Sequence, residues 1–360
     1  MYLGTYEEQA LTGEHGGALR WAYETLVRIG EGNGAESLTD VVSVHIPRMS
    51  LEDKNLRNLL GEVRSFHPRV QVSADPWSEC HHGSGLTTDA VCQGTQIQSI
   101  TCAPFLSGNT PPRGSRCSWG GRSAVTFLNS IIGARSNPQD FRSALASAIS
   151  GKTPLHGLLT DEGRFESVVV RLDEVENVDA SLLGHRLSQI LDGRMARISG
   201  LRRGFDDMRR FALALNHDGR QPLFHLGGGR EPDSIDLCHD DFLAPEPDDG
   251  RHNLKLIFGC PHLSEQQINS IARRLEDDGS NNNEAFFYTS RLCMDKSPKS
   301  GLLLRRHGTV RTSVCPLADA ELWYSSSVCT DSLPLVESLQ ADGLDAQYLP
   351  FPLLMERLVG

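Results

Sequence analysis

The residues best equipped for chemistry lie in one short run, Gly259-Cys260-Pro261-His262, set between Leu254-Lys255-Leu256-Ile257-Phe258 and a helix-like segment beginning at Ser264. A loop that leaves the carboxyl end of a parallel strand and enters a helix is where open α/β folds place ligands. A helix N-terminus also favours anions and lowers a nearby thiol's pKa. Cys260 can therefore act as a thiolate or metal ligand with His262 beside it; the plainer alternative is a buried cysteine in a tight turn made by Gly259 and Pro261. Thr312-Ser313-Val314-Cys315-Pro316 ends a second strand-like segment. If both strands share a sheet, Cys260 and Cys315 converge at one carboxyl edge. Two thiolates are half of a tetrahedral site, or two of the three ligands of an iron–sulfur cluster with an open iron. The alternative is two unrelated core cysteines. Farther upstream, Arg135 in Asn129-Ser130-Ile131-Ile132-Gly133-Ala134-Arg135-Ser136-Asn137 can fork onto a substrate carboxylate. Asn129, Ser130 and Asn137 would add neutral hydrogen bonds, or the whole cluster caps and cross-links loops.

Other patterns are weaker. Adjacent residues such as Cys80-His81-His82 rarely coordinate one ion together, which favours an exposed loop there. Gly227-Gly228-Gly229 follows a strand-like segment but lacks the GxGxxG dinucleotide fingerprint, leaving a tight turn. GxSxG, HExxH and Walker patterns are absent. The chain has nine cysteines, an odd number without a CxxC pair. In a chain of this length that argues against a disulfide framework and for buried thiols with a few reactive or metal-binding ones.

The elements that must position these groups alternate between strand and helix. The 360 residues exceed the usual size of one core, so two domains or one large α/β domain are expected. With 35 basic against 46 acidic residues the formal net charge is −11, which disfavours binding to nucleic acid or anionic membrane. No apolar run approaches a membrane span and Met1–Glu8 does not read as a signal peptide, so a cytoplasmic protein is expected. An amphipathic helix carrying Leu19, Ala22, Leu26 and Val27 closes near Gly32-Asn33-Gly34. Strands are predicted at Val41–Ile46, Arg69–Ser73, Ser167–Leu172, Pro222–Leu226, Leu254–Phe258, Ala285–Thr289 and Thr309–Val314. Helices fall around Ser123–Ile131 and Ala144–Ile149, in two stretches between Leu172 and Leu215, and from Ser264, where Ser264 and Gln267 form a capping-box pattern. Pro245–Gly250 reads as a solvated connector, and Ala74–Asn109 as a long irregular segment of functional loop or disorder. Such alternation argues parallel sheets covered by helices on both faces.

Several of these segments, taken in order, resemble one family. They are Met1-Tyr2-Leu3 with Glu7-Glu8 and Leu11-Thr12-Gly13-Glu14, Ser43-Val44-His45-Ile46, Thr101-Cys102-Ala103-Pro104-Phe105, Trp119, Ser123–Ser130 with Gly133-Ala134-Arg135, Ile198-Ser199-Gly200-Leu201, Gly259–Ser264 and Thr289-Ser290-Arg291. Across almost the whole chain the pattern is similar to aconitase X, the aconitase relatives that include cis-3-hydroxyproline dehydratase and phosphomevalonate dehydratase. The resemblance implies an α/β fold of aconitase-like stacked α/β/α domains with mostly parallel sheets. It further implies elimination of water from a small hydroxy acid, and an iron–sulfur cluster held through three cysteines. Cys260 and Cys315 match two cluster positions; Ser43, His45, Cys102, Asn129, Ser130 and Arg135 match pocket motifs. The expected division is an N-terminal α/β part with pocket loops, 1–195, and a second α/β part carrying the cysteine loop and a degenerate cluster site, 196–360.

Departures from the family pattern fall at the same site. Met355 stands where the third cluster cysteine belongs, and a thioether is a poor substitute for a thiolate on iron. After Trp119 the family has an acidic residue before Ser, where this chain reads Gly120-Gly121-Arg122-Ser123. Cys329-Thr330-Asp331-Ser332-Leu333-Pro334 resembles a Thr-Asn-Ser-x-Lys motif in which Asp331 and Pro334 replace the amide and the lysine. The small swivelling domain, with its Gly/Ser-rich segment, is expected to be absent from this chain, so a separate small subunit completes the site or the chain works without one. The resulting expectation is a diverged lyase acting on a small, carboxylate-bearing or specialised-metabolite substrate, holding no cofactor or a cluster with an incomplete ligand set. His45, Cys102, His262 and Asp331 are the catalytic candidates; Ser43, Asn129, Ser130, Arg135, Thr330 and Ser332 the substrate-binding ones. An orthodox iron–sulfur hydro-lyase working as the large subunit of a heteromer, and a non-catalytic pseudo-enzyme subunit, are the alternatives.

Overall fold

Short runs of β-branched and aromatic residues alternate with amphipathic helices along the chain, and both kinds of element bury their apolar sides against each other. The computed structural model describes residues 1–48, 70–76, 100–172, 175, 177–227, 234–242, 254–277, 283–324 and 326–359. Cys80-His81-His82, Cys92, Gly228-Gly229 and the 245–250 connector lie outside the described residues. Two compact units result: Met1–Ile100 with Gly108–Phe165, and Thr101–Ser107 with Glu166–Gly360. The main segment of the second unit begins at Glu166, and within it the strand Val168–Arg171 pairs in parallel with Ala196–Ser199.

In the first unit, α1 (Thr5–Thr12) and α2 (Gly17–Gly32) precede β1 (Leu38–Asp40) and β2 (Ser43–Ile46). β3 (Gln71–Ala74) and β4 (Ser118–Trp119) flank β2, giving a parallel sheet in the order β3-β2-β4. α3 (Arg122–Phe127) runs directly into a π-helical turn, Leu128–Ile132, that carries Asn129 and Ser130. Such widened turns recur at functional sites. α4 (Phe141–Ser150) is capped by Asp140, whose carboxylate accepts the Ser143 N–H at 2.7 Å. Val44, Ile46, Val72 and Ala74 pack against Ala22 and Leu26 of α2 and Leu145 and Ile149 of α4, forming the core of the unit. β5 (Lys152–Pro154) pairs antiparallel with β1.

The second unit holds two sheets, parallel throughout. β6 (Val168–Arg171), β7 (Ala196–Ser199), β8 (Phe224–Leu226) and β9 (Ser234–Asp236) are arranged β8-β7-β6-β9, with α5 (Ala180–Leu191) and α6 (Phe205–Leu215) between strands in sequence. β10 (Lys255–Leu263), β11 (Glu284–Thr289), β12 (Thr309–Thr312), β13 (Ser327–Thr330) and β14 (Asp345–Tyr348) follow the order β12-β11-β10-β13-β14. Their helices are α7 (Glu265–Asp277), α8 (Arg291–Lys296), α9 (Pro298–His307), α10 (Leu333–Ala341) and α11 (Phe351–Val359). Leu256, Phe258, Ile268, Leu275, Phe287, Leu354 and Leu358 share one apolar core, with the Phe258 and Phe287 rings stacked at 5.4 Å. Each such side chain, once buried, contributes roughly 1.5–3 kcal/mol.

The cysteine run departs from expectation. Gly259-Cys260-Pro261-His262 is no loop between strand and helix: β10 continues through it to Leu263, and the pairing register with β11 shifts between Phe258 and Leu263. The run is therefore a bulge inside the strand, the kind of irregularity that re-aims a side chain beside an active site. Gly259 has φ +104°, and a Cβ there would meet the Tyr288 carbonyl oxygen at 2.1 Å, so only glycine fits. Beyond the bulge the capping box forms as the pattern predicts: Gln267 N–H donates to the Ser264 hydroxyl and Ser264 N–H to the Gln267 amide oxygen, each at 3.1 Å. All seven described cysteines are free thiols. Among the described residues no helix is long and apolar enough to cross a membrane.

Candidate active site

β10 and β13 are paired neighbours, so the bulge of β10 and the residues that follow β13 emerge side by side. Cys260 comes from the first; Asp331 and Ser332 come from the second, at the start of α10. Cys315, just past β12, lies close enough to act on the Cys260 thiol. Burial pushes that thiol up to about 12; a hydrogen bond with Ser332 pulls it down, and the negative ends of Cys315 and Asp331 push it further up. Cys260 is thus a protonated thiol near neutral pH. Ser332 also caps α10 through Leu335 N–H at 3.4 Å. The Thr330 hydroxyl is fully buried and finds no hydrogen-bond partner among the described residues. An unsatisfied buried hydroxyl costs about 1–3 kcal/mol, which a polar ligand group would recover.

Asp331 is half of a charge arrangement centred on Arg210 of α6. Arg210 donates through Nη1 to Asp331 Oδ2 at 2.8 Å and through Nη2 to Asp179 Oδ2. Asp179 in turn caps α5 through Ser181 N–H at 2.8 Å and accepts from the Tyr348 hydroxyl at 2.6 Å. One guanidinium serving two buried carboxylates cannot fully compensate both. Burial therefore raises the Asp331 carboxyl to about 6, with Arg210 opposing and Asp179 reinforcing the shift. Burial alone would lower Arg210, but Asp331 and Asp179 outweigh it and hold the arginine charged. Arg210 borders a cleft of about 490 Å³ also lined by Asp206, Asp207, Gln267, Arg273 and Phe351.

The preceding residue, Arg209, serves the bulge. Adjacent helix positions project about 100° apart, and Arg209 turns to donate to the His262 carbonyl at 2.8 Å and to Gln267 Oε1 at 2.7 Å. His262 itself is buried with both ring nitrogens engaged. Nε2 donates to the Val314 carbonyl at 2.8 Å, and Nδ1 faces the Thr101 hydroxyl at 3.0 Å. Its backbone N–H points at Cys102 Sγ at 3.4 Å. The structure therefore brings Cys102 and His262 together, with the imidazole held as a positioning group and the sulfur accepting a hydrogen bond from the His262 backbone.

The first unit gathers its own polar cluster at β2. His45 is fully buried; Nε2 lies 3.0 Å from Asp75 Oδ1 and Nδ1 2.9 Å from the Ser73 hydroxyl. A carboxylate only accepts, so Nε2 carries the proton. Asn109 donates to Ser73 at 2.8 Å, Ser43 donates to Asn109 Oδ1 at 2.6 Å, and the Trp119 indole donates to Ser43 at 2.8 Å. Ser43 and His45 thus belong to one chain of hydrogen bonds. Gly121, with φ +81°, would place a Cβ 3.2 Å from Asp75 Oδ2 and 3.5 Å from the His45 ring. The carboxylate beside His45 is thus supplied by Asp75, in the space that an acidic side chain at 121 would enter. Asn129 pairs with Ser136 N–H and C=O at 2.9 Å each, and Arg164 donates to its carbonyl at 3.1 Å. Arg135 reaches Asp161 at 2.6 Å, but Asp161 is 80% exposed and Arg135 29%, so this is a surface pair that a ligand carboxylate can replace at little cost. Ser130 lies half-buried on the same π-turn.

A cluster with an open iron requires three thiolates. Among the described residues Cys260 and Cys315 are neighbours, and no group of three His, Cys, Asp or Glu that includes them is tight enough to hold a single ion. Met355 packs into the apolar core with Leu254, Leu354 and Leu358. Sequence reasoning missed Asp75, Asn109, Arg209, Arg210 and Asp179. Three of them left a signal: the paired Arg209 and Arg210 beside Met208 and Phe211 on one helix demand buried partners, and Asp179 before Ala180-Ser181-Leu182 reads as an N-cap.

Comparison with known proteins gives one consistent result. The family model described as the aconitase X first domain matches residues 86–162. The chain is 28% identical over 305 residues to the phosphomevalonate dehydratase large subunit of Methanothermobacter thermautotrophicus, covering 76% of each. It is 30% identical over 258 residues to cis-3-hydroxy-L-proline dehydratase of Pseudomonas aeruginosa, covering 66% of this chain and 44% of that one. The crystal structure of Thermococcus kodakaraensis aconitase X in its holo-form superposes with a TM-score of 0.87 at 25% identity, covering 99% of both chains.

Proposed function

The chain belongs to the aconitase X family and is a lyase of the dehydratase type, and from that premise we propose that it acts on a small carboxylate-bearing substrate without an intact iron–sulfur cluster. The reaction class is an elimination, or an isomerisation or cyclisation that begins with the same proton removal. The observation that carries this reading is the set of groups at Cys260, two thiols with a carboxyl near 6 beside them, while Met355 is buried in the apolar core. A carboxyl that titrates close to neutral pH both takes and returns protons, the task otherwise shared with a Lewis-acidic metal. Asp331 is assigned that exchange, with Cys260 and Ser332 as hydrogen-bonding neighbours and Thr330 as a buried hydroxyl open to a ligand. In the first unit, Arg135 is assigned to a carboxylate, and the His45–Asp75 pair to proton handling at an imidazole held in one tautomer.

The test is turnover on a panel of hydroxy acids, including cis-3-hydroxyproline and phosphomevalonate, before and after chelation, with iron and sulfide measured on the same anaerobic preparation. Activity that survives metal removal supports the reading; a strict iron requirement overturns it. A second reading, an iron–sulfur hydro-lyase working as the large subunit of a heteromer, draws on the relatives described as large subunits. Stoichiometric iron and sulfide, with activity appearing only when a small subunit is co-expressed, would establish that one instead.

A further inference from the structure

Three side chains of the second unit that the proposed chemistry does not use face one another: His185 on α5, His217 just past the end of α6, and Glu337 on α10. One ligand atom from each lies within 4.8 Å of the other two. His185 Nε2 is 2.6 Å from Glu337 Oε1, and His217 Nε2 is 3.5 Å from Glu337 Oε2, with the two imidazole centroids 4.8 Å apart. The surroundings settle the His217 tautomer. Nδ1 lies 3.0 Å from the Ala214 carbonyl and 3.1 Å from the Ser188 hydroxyl. That hydroxyl spends its own proton on the His185 carbonyl at 3.1 Å, so both neighbours of Nδ1 accept. Nδ1 therefore carries a proton, and Nε2 faces a carboxylate oxygen, a contact that either a second ring proton or a metal cation between the two would satisfy.

We propose that His185, His217 and Glu337 form a binding site for one divalent transition-metal ion of the zinc class. Two imidazole nitrogens and a carboxylate oxygen are a borderline donor set of the kind zinc takes. Bonds of 2.0–2.1 Å imply about 3.3 Å between ligand atoms of a tetrahedral ion, and the observed 2.6 and 3.5 Å separations bracket that value. The Ala214 carbonyl and Ser188 supply the outer hydrogen bonds that orient a metal-bound histidine. Glu337 is 44% exposed, which leaves the fourth position to water. The three ligands come from three helices, so the ion would tie α10, whose N-terminus carries Asp331 and Ser332, to α5 and α6.

The experiment strips the full-length chain with a chelator, then titrates it with Co²⁺ by absorbance and with Zn²⁺ by calorimetry. Wild type is expected to bind one equivalent, with the visible bands of tetrahedral Co²⁺ and no thiolate charge-transfer band. Zn²⁺ should raise its melting temperature. Glu337→Gln and His217→Gln, checked for native circular dichroism, should each weaken Zn²⁺ about tenfold or more and abolish the thermal shift. Three results would overturn the site: equal Zn²⁺ affinity in wild type and both variants; a thiolate charge-transfer band at one equivalent, which sends the metal to cysteine; or no saturable binding at all, which leaves the trio a proton-bridged ion pair.

Discussion

Replacing Asp331 with Asn should change how stability depends on pH more than it changes stability itself. In the folded protein the Asp331 carboxyl titrates near 6, against an ordinary value of 3.8, because it is buried and shares Arg210 with Asp179. The folded state therefore holds this proton more tightly than the unfolded chain does. Its contribution is fully present below about pH 4 and is lost as pH rises through about 6. Moving from 3.8 to about 6 corresponds to about 3 kcal/mol. Asn is close to isosteric with the protonated acid and still offers Arg210 an oxygen, so the two proteins should be nearly equal in stability at pH 4. At pH 7 the variant should be the more stable by about 3 kcal/mol, roughly 4 °C in melting temperature for a chain of this length. Thermal and urea denaturation from pH 4 to 8, run side by side, measure the difference directly. A difference that stays constant across that range, or one that favours wild type increasingly as pH rises, would refute the burial argument.

Other consequences follow from the same contacts. Arg210→Met leaves Asp331 and Asp179 buried with no cation between them and should cost about 3–5 kcal/mol, read as a fall in denaturation midpoint at pH 7 that shrinks on acidification. Gly259→Ala forces a Cβ to within 2.1 Å of the Tyr288 carbonyl in a left-handed backbone and should destabilise by about 3 kcal/mol or more, measured by the same melts. Arg135→Gln removes a charge-assisted contact and should raise the KM of a carboxylate substrate about tenfold or more, whereas Asp161→Asn should leave KM equal or lower because it only frees Arg135.

Much of the fold could be read from local pattern. The strands at β2, β6, β11 and β12, the helices carrying Leu26, Phe127 and Ile149, and the Ser264–Gln267 cap all appear where periodicity and capping place them, since those signals depend on residues within a few positions of each other. The bulge was not legible. Leu254–Phe258 looks like a complete strand followed by a turn, and only the close approach of the Tyr288 backbone explains why β10 continues through Gly259 to Leu263. The charge network at the site was equally hidden. Arg210 from the middle of α6 meets Asp179 and Asp331 from the starts of α5 and α10, far apart in the chain, and Asp75 reaches His45 from just past the neighbouring strand.

By itself, then, the order of motifs determined the family, the class of chemistry and the identities of Cys260, Cys315 and Asp331 as residues of interest. Residue types are intrinsic to the chain. Tertiary structure alone decided their states: a thiol pushed to about 12, a carboxyl raised to about 6, an imidazole at His262 with both nitrogens occupied. The reason is physical. A side chain's protonation and availability depend on desolvation and on charges within a few ångströms, and those neighbours come from strands and helices that sequence proximity does not connect.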